Sequence, residues 1–437
     1  MSDVASRLRP LVDAARKVWE RGILDLGASM VVVMGLGFAQ NLVLARLLGA
    51  EGLGHMAIVN STIGVATLLA TAGLTTSILR YGAVERDEGA AWGLFRSGTR
   101  LAFAASLLVA VGTAIFSRSS AWVFDPVAGH WLPLVALSLP SLVLASCASS
   151  FLQARSRMRA RAIVDVVTRV LQVGVVVAGA AWGGLRGVML GLVVGSTLGG
   201  LVSLRWTRTL RAERPARANV SARELLRFGA WGLFNNAFGL VLSMADVFAV
   251  SALLGDPALV GVYSLAVLLQ QAVTIPMRAY LDARFPEMTQ AASDLAVLAA
   301  MRRRMQWHVF GIAAVSAVAV GVVAPTLLPI VFGKDFAASA VPLWILLAGQ
   351  LAWSLGATQG RALLAAGWVE GNTWANMLAA IANVVAQLVL VPRFGIAGAA
   401  MATALTNGLL FSVSTAMMYR WWERRGARAA QRTALRP

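Results

Sequence analysis

The chain has 437 residues, 58% of them hydrophobic and 13% charged, with a mean hydropathy of +0.72. A soluble domain sits nearer half apolar and a quarter charged, and here the excess falls in runs of 18 or more residues able to cross about 30 Å of hydrocarbon. This is a polytopic helical membrane protein and not a transmembrane β-barrel, which would show shorter alternating segments; the +18 net charge lies in arginines between apolar runs, so no nucleic-acid partner is expected.

In chain order, residues 1–22 are too charged to span. Leu8, Leu11, Val12, Ala15 and Val18 recur at helical spacing beside Arg7, Arg9, Arg16, Lys17 and Arg21. That pattern predicts an amphipathic cytoplasmic helix on the membrane surface rather than a cleaved signal peptide. Twelve spans follow, near 23–45, 54–79, 97–116, 131–152, 162–182, 186–206, 226–254, 260–284, 307–332, 341–366, 371–392 and 396–420. They group as an N-terminal six-helix bundle (23–206), a basic cytoplasmic linker (207–225), a C-terminal six-helix bundle (226–420) and a basic cytoplasmic tail (421–437).

Charge orients the spans. Of the 38 basic residues, 32 fall in the termini and even-numbered connections, five fall on the other side, and Arg169 lies inside a span. The positive-inside rule then places both termini in the cytoplasm. Only Lys17 and Lys334 are lysines, which points to a GC-rich genome and a bacterium; the expected location is its inner membrane. Cys147 is the sole cysteine, and His55, His130 and His308 have no zinc spacing, so no metal, cofactor or disulfide is expected. FGKD at Phe332 to Asp335 lacks the flanking residues of a P-loop.

The two halves repeat. "LARLLGAEGLGHMA" (Leu44 to Ala57) and "SALLGDPALVGVYSLA" (Ser251 to Ala266) make the same corner, pairing Gly49 with Gly255 and Gly54 with Gly261. "WGGLRGVMLG" (Trp182 to Gly191) lies on "RFGIAGAAMA" (Arg393 to Ala402) at an offset of 211, pairing Gly184 with Gly395 and Gly187 with Gly398. A duplicated unit of even span number keeps its orientation, so the expected fold is all-α, with twelve transmembrane helices in two parallel six-helix repeats around a central cavity.

Charge inside the bilayer costs ~2.5–3.5 kcal/mol at mid-helix, so it marks either a polar pathway or an internal pair. Asp165 and Arg169 lie four apart in the fifth span and are expected to neutralise one another in part; the repeat offers Asn376 opposite Asp165. Asp246 shares the seventh span with Asn235 and Asn236, while Gln40 and Asn41 occupy the first. These are either faces lining a pathway or helix–helix hydrogen bonds. The eighth span carries Gln270, Pro276, Arg278 and Arg284, with a kink expected at the proline. Arg80, Arg278, Arg284 and Arg361 sit near cytoplasmic span ends, as snorkelling anchors or, as a group, as cations for a pyrophosphate. Asn41, Arg80, Asp165, Arg169, Asn236, Asp246, Gln270, Arg278, Arg284, Arg361 and Asn376 are the candidate substrate-binding residues; Asp25, Asp165 and Asp246 are the candidates for ion coupling.

These stretches, with "LLATAGLTTSILRY", "LLPIVFGKDFAASAVPLWILLAGQLAWSLG" and "NVVAQLVLVPRFGIAGAAMATALTNG", resemble the Wzx-type polysaccharide flippases of the MOP superfamily, which also holds MATE antiporters and lipid II flippases. The likeness covers roughly residues 23–420. It implies two six-helix bundles that move a lipid-linked oligosaccharide, usually on undecaprenyl pyrophosphate, to the outer leaflet by alternating access, drawing on an ion gradient or membrane potential. It also implies the bilayer, a polysaccharide polymerase and glycosyltransferases as partners. Lipid II flippases usually carry two further helices; with no span expected after Tyr419, O-antigen, capsule or exopolysaccharide assembly is the nearer expectation. The alternatives are a cation-coupled multidrug antiporter on the same scaffold and, less fittingly, a membrane glycosyltransferase or ligase, which would want a larger extramembrane loop.

Overall fold

The computed structural model describes residues 23–119, 125–210, 220–291, 294–365 and 369–434. The expected surface helix at 1–22 and most of the linker (211–219) lie outside them. The described residues form α1 (Ile23–Thr71), α2 (Leu74–Val84), α3 (Glu88–Ser119), α4 (Pro126–Ala136), α5 (Leu139–Ala154), α6 (Met158–Thr207), α7 (Ala222–Leu254), α8 (Pro257–Ala291), α9 (Leu295–Val331), α10 (Ala340–Ala365) and α11 (Val369–Ala434). Two 3-10 turns, Arg208–Leu210 and Lys334–Ser339, join them, and no strand occurs among the described residues. Hydrocarbon offers backbone groups no partner, so a spanning chain of this composition closes its hydrogen bonds within helices.

Seven of the described helices are long and apolar enough to cross a membrane, or eight if α4 and α5, bent by 57° at their break, count as one span. Three of the long ones are interrupted. α1 leaves helical geometry at Gly49, α6 at Gly183 and Gly184, and α11 at Gly395. α8, by contrast, continues as helix through Pro276.

The repeated glycines adopt repeated conformations. Gly184 has φ 54°, ψ −135° and Gly395 φ 57°, ψ −137°, a region closed to a residue with a Cβ. After each corner the chain returns against itself at the same place: a Cβ on Gly187 would collide with the Gly179 carbonyl, and one on Gly398 with the Leu390 carbonyl. Both pairs are related by the offset of 211. At the other corner the contact is reciprocal. A Cβ on Gly54 would enter the carbonyl oxygen of Pro257, one on Gly261 that of Ala50, and each would stand 3.0 Å from the other glycine's amide nitrogen. Ala50 and Pro257 correspond at the offset of 207 that relates the two glycines.

The chain forms two compact units, residues 1–49 with 58–237, and residues 50–57 with 238–437. The first has an aromatic core on α2, α3, α5 and the start of α7: Phe95 and Phe151 stack with centroids 4.6 Å apart, Trp92 lies edge-on to Phe151, and Ile78, Cys147 and Leu225 complete the cluster. Ser77 Oγ donates to the Leu225 carbonyl at 2.7 Å. In the second unit α10 and α11 approach closely where two glycines of α10 face α11. A Cβ on Gly349 would lie 2.5 Å from Ala404 Cα and one on Gly356 2.9 Å from Phe411 Cα, an approach that favours packing without a hydrophobic driving force.

Because backbone opposes backbone at the Gly54–Gly261 contact, neither side can yield by rotating a side chain. Gly54→Ala and Gly261→Ala should each lower stability by about 1–3 kcal/mol, whereas Gly35→Ala, with open space around its Cβ, should be neutral or slightly stabilising. Thermal unfolding of the three variants in detergent checks this.

Candidate functional site

The polar residues expected to act fall into separate groups. In the first unit, Arg169 of α6 lays its guanidinium on α1 at Gly37, where a Cβ would stand 2.7 Å from Nη2. Asn41, one turn along, donates Nδ2–H to the Gly37 carbonyl at 2.9 Å. Arg169 Nη1 donates weakly to Gln172 Oε1 at 3.4 Å, and its Nε is buried with no partner among the described residues. Asp165 does not neutralise Arg169. Its ion pair is with Arg161, one turn earlier, Nε to Oδ2 at 3.5 Å. Arg161 also donates to Gln153 Oε1 on α5. Among the described residues no carboxylate pairs with Arg169, which leaves a half-buried cation inside a candidate span.

Arg80 belongs elsewhere. Its guanidinium sits 4.4 Å above the Phe228 ring, while Tyr81 meets the same ring edge-on and donates to Glu224 Oε1 at 3.5 Å. This cation–π contact fastens α2 to the first turns of α7.

In the second unit, Asp246 of α7 is 4% exposed. Tyr263 of α8 donates its hydroxyl to Oδ2 at 2.8 Å, and the Val247 amide donates to Oδ1 at 2.9 Å. No basic residue joins them among the described residues. The Tyr263 hydroxyl also meets Thr403 of α11, and Gln387 Nε2 donates to Thr403 Oγ1 at 3.5 Å and to the Ala399 carbonyl at 3.4 Å. Asn383 donates to Thr406 Oγ1 at 3.2 Å. Among the described residues the buried oxygens Gln387 Oε1 and Asn383 Oδ1 have no donor. A separate bond, Gln270 Nε2 to Gln350 Oε1 at 2.6 Å, joins α8 to α10.

The remaining expected residues are not gathered. Arg278 is exposed, Arg284 is paired with Glu287 at 2.6 Å, and Arg361 and Asn376 are half-buried on α10 and α11. The side chains of Asp25 and Asn236 lie outside what the structure describes. Among the described residues no group of three or more His, Cys, Asp or Glu could hold a metal. Sequence reasoning passed over Tyr263, Gln172, Gln387 and Thr403. The spacing Asn383–Gln387 and Thr403–Thr406, polar residues a turn apart inside apolar runs, was the available signal.

Residues 20–292, more than half the chain, match the polysaccharide biosynthesis protein family. The chain belongs to that family. A relative from Haloferax volcanii, the probable low-salt glycan biosynthesis flippase Agl15, is 24% identical over 418 residues, covering 91% of this chain and 82% of its own. Among solved structures, the lipid II flippase MurJ in an inward closed conformation superposes with a TM-score of 0.74 at 11% identity, covering 89% of this chain and 86% of its own. An inward-facing MATE multidrug resistance transporter of the MOP superfamily gives 0.73 at 13% identity, covering 92% and 95%. This member of the polysaccharide biosynthesis family therefore has the fold of MOP-type transporters, and the relatives named are transporters and flippases, not enzymes.

Among the described residues the carboxyl of Asp246 is held by neutral donors alone, so removing one exposes its cost. Tyr263→Phe should destabilise the protein by about 1–3 kcal/mol, and Asp246→Asn, which keeps an acceptor for Tyr263, by less. Unfolding midpoints of the two variants against the parent test this order.

Proposed function

We propose that the protein is a flippase moving a lipid-linked oligosaccharide, on undecaprenyl pyrophosphate, from the cytoplasmic to the outer leaflet of a bacterial inner membrane by alternating access, for O-antigen, capsule or exopolysaccharide assembly. The observation that carries this reading is Arg169: a guanidinium inside an apolar helix, laid on Gly37, with no carboxylate among the described residues to neutralise it. Its fork of donors suits phosphate oxygens. Membership of the polysaccharide biosynthesis family and the glycan-flippase relative support a sugar-bearing lipid as the source of that phosphate. Asn41 would share the headgroup site. Arg278, Arg284 and Arg361 would attract the anion at the cytoplasmic face, and Asn236, Gln270 and Asn376 would line the path; Arg80 and Asp165 fit this role less well, given their contacts with Phe228 and Arg161.

Dividing α1, α6 and α11 at their glycine corners, joining α4 to α5, and admitting α7 turns the seven long apolar helices into twelve passes. The matching corners at Gly184 and Gly395 and the reciprocal contact of Gly54 with Gly261 support two parallel repeats. Both termini would be cytoplasmic, and the polymerase and glycosyltransferases of the same glycan would be working partners.

Asp246 supports coupling to a cation, a proton being the simplest cargo for a carboxyl held by Tyr263 and Val247. The same residue is what favours the second reading, a cation-coupled drug antiporter.

Leaflet transfer in proteoliposomes separates the two. A lipid-pyrophosphate oligosaccharide should move, with Arg169→Ala slowing transfer at least tenfold and Arg169→Lys recovering part of it. With a proton gradient imposed, Asp246→Asn should lose the stimulation while keeping gradient-independent exchange. Gradient-driven export of an organic cation without lipid transfer would establish the antiporter instead.

A further inference from the structure

Away from these groups, the first turns of α9 carry three consecutive arginines. Arg302, Arg303, Arg304 and Trp307 line an open groove of about 630 Å³ floored by Ala296, Ala299 and Ala300. Arg303 and Arg304 are exposed. Arg302 is fixed from behind: Nη1 donates to Gln359 Oε1 on α10 at 2.6 Å, and Gln359 in turn reaches Thr415 of α11. Its partners are amides, and among the described residues no carboxylate pairs with any of the three. The acid that opens this helix, Asp294, accepts from the amides of Ala296 and Val297 at the cap.

The face of α9 below the groove is unusual in what it continues into. Arg304, Trp307, Gly311, Val315, Val318 and Val322 follow one another at spacings of three and four, and the glycine and the valines are all exposed. The opposite face, Met305, Val309, Ala313 and Ala317, is buried in the unit. Cations, an indole and then an apolar stripe thus succeed one another along one surface. From Arg304 to Val315 the helix rises about 16 Å, close to the roughly 15 Å of hydrocarbon in one leaflet. The sequence of chemistries matches one phospholipid from head to tail: phosphate against guanidinium, glycerol level with the tryptophan, and acyl chain along the valines.

From this placement we propose that the arginine groove of α9 is a binding site for a single anionic glycerophospholipid, such as phosphatidylglycerol, in the leaflet that the charge count assigns to the cytoplasm. Arg303 and Arg304 supply the headgroup's counter-charge, Arg302 is the preset donor, and the valine stripe takes one acyl chain. A zwitterionic lipid offers the same phosphate with its charge already cancelled, so the site discriminates by net charge. The occupant is a bulk membrane lipid and not the transported one, and the site does not depend on the flippase reading.

Native mass spectrometry of the full-length protein, delipidated in neutral detergent and titrated with phosphatidylglycerol or phosphatidylcholine, tests this. One phosphatidylglycerol should be retained in preference to phosphatidylcholine. In the double variant Arg303→Ala, Arg304→Ala its affinity should fall about 30-fold, at roughly 1 kcal/mol per arginine. The charge-matched control Arg157→Ala, Arg159→Ala, on exposed arginines of the first unit, should bind like the parent. Equal retention of the two lipids, or an unchanged affinity in the double variant, would overturn the proposal and leave the arginines as topology signals only. Displacement of the bound lipid by equimolar undecaprenyl phosphate would overturn it in favour of a docking point for the carrier lipid.

Discussion

Inside a bilayer a backbone amide has only other protein groups to bond with, and the architecture of this chain follows from that restriction. Long helices meet it, but a chain must also turn, and each turn opens the hydrogen-bond ladder. Here the turns are made short by glycines at positive φ, so that a 50-residue stretch such as α6 reverses at Gly184 with two residues out of helical geometry. The returning helix then lies so close that Gly187 faces the carbonyl of Gly179. Corner and close approach are one device, since the tight reversal forces the contact and the contact admits no side chain.

The device occurs twice, but the chemistry hung on it does not. At the offset of 206, Gln40 of α1 answers to Asp246 of α7, and both are buried, at 3% and 4% exposure. One half thus places a neutral amide where the other places a carboxyl. At the offset of 211, Arg169 answers to Ala380 and Val176 to Gln387, both pairs exchanging polar for apolar. The first unit has the Arg169 cation where the second has alanine, and the second has the Asp246 acid where the first has glutamine. Positions related by the repeat in sequence thus carry opposite electrostatic characters, which fits the proposed handling of an anion and a cation by different residues.

The glycine corners and the all-helical, apolar character were legible in sequence because both depend on local properties: apolar run length, and a glycine where only a glycine can turn. The pairing of Asp165 was not. Arg161 and Arg169 stand four residues before and four after it, and helical spacing treats them alike. What decides is tertiary: Arg169 is drawn to the bare backbone at Gly37, and Arg161 remains to take the carboxylate. Arg80 shows the same limit. It reads as a cation at a cavity mouth until Phe228, 148 residues later, is brought beneath it. The Asp246 group escaped for a related reason, since Tyr263, Gln387 and Thr403 come from three stretches of chain and each alone resembles an ordinary polar residue in a bundle.

The pairing has an electrostatic consequence. Had Asp165 neutralised Arg169, α6 would carry a closed ion pair, able to hold helices together and little else. With Arg161 satisfying Asp165, the face of α6 toward α1 keeps, among the described residues, one whole positive charge, held in place by an amide and a bare glycine backbone. An uncompensated cation in hydrocarbon is costly at ~2.5–3.5 kcal/mol, and water or an anion must offset that cost whenever the surrounding apolar surface closes over it. An anionic ligand that arrives with its own charge and leaves with it would make closing around the loaded state easier than closing around the empty one. On the flippase reading proposed above, that difference is what alternating access requires of a carrier that should not cross the membrane without its cargo.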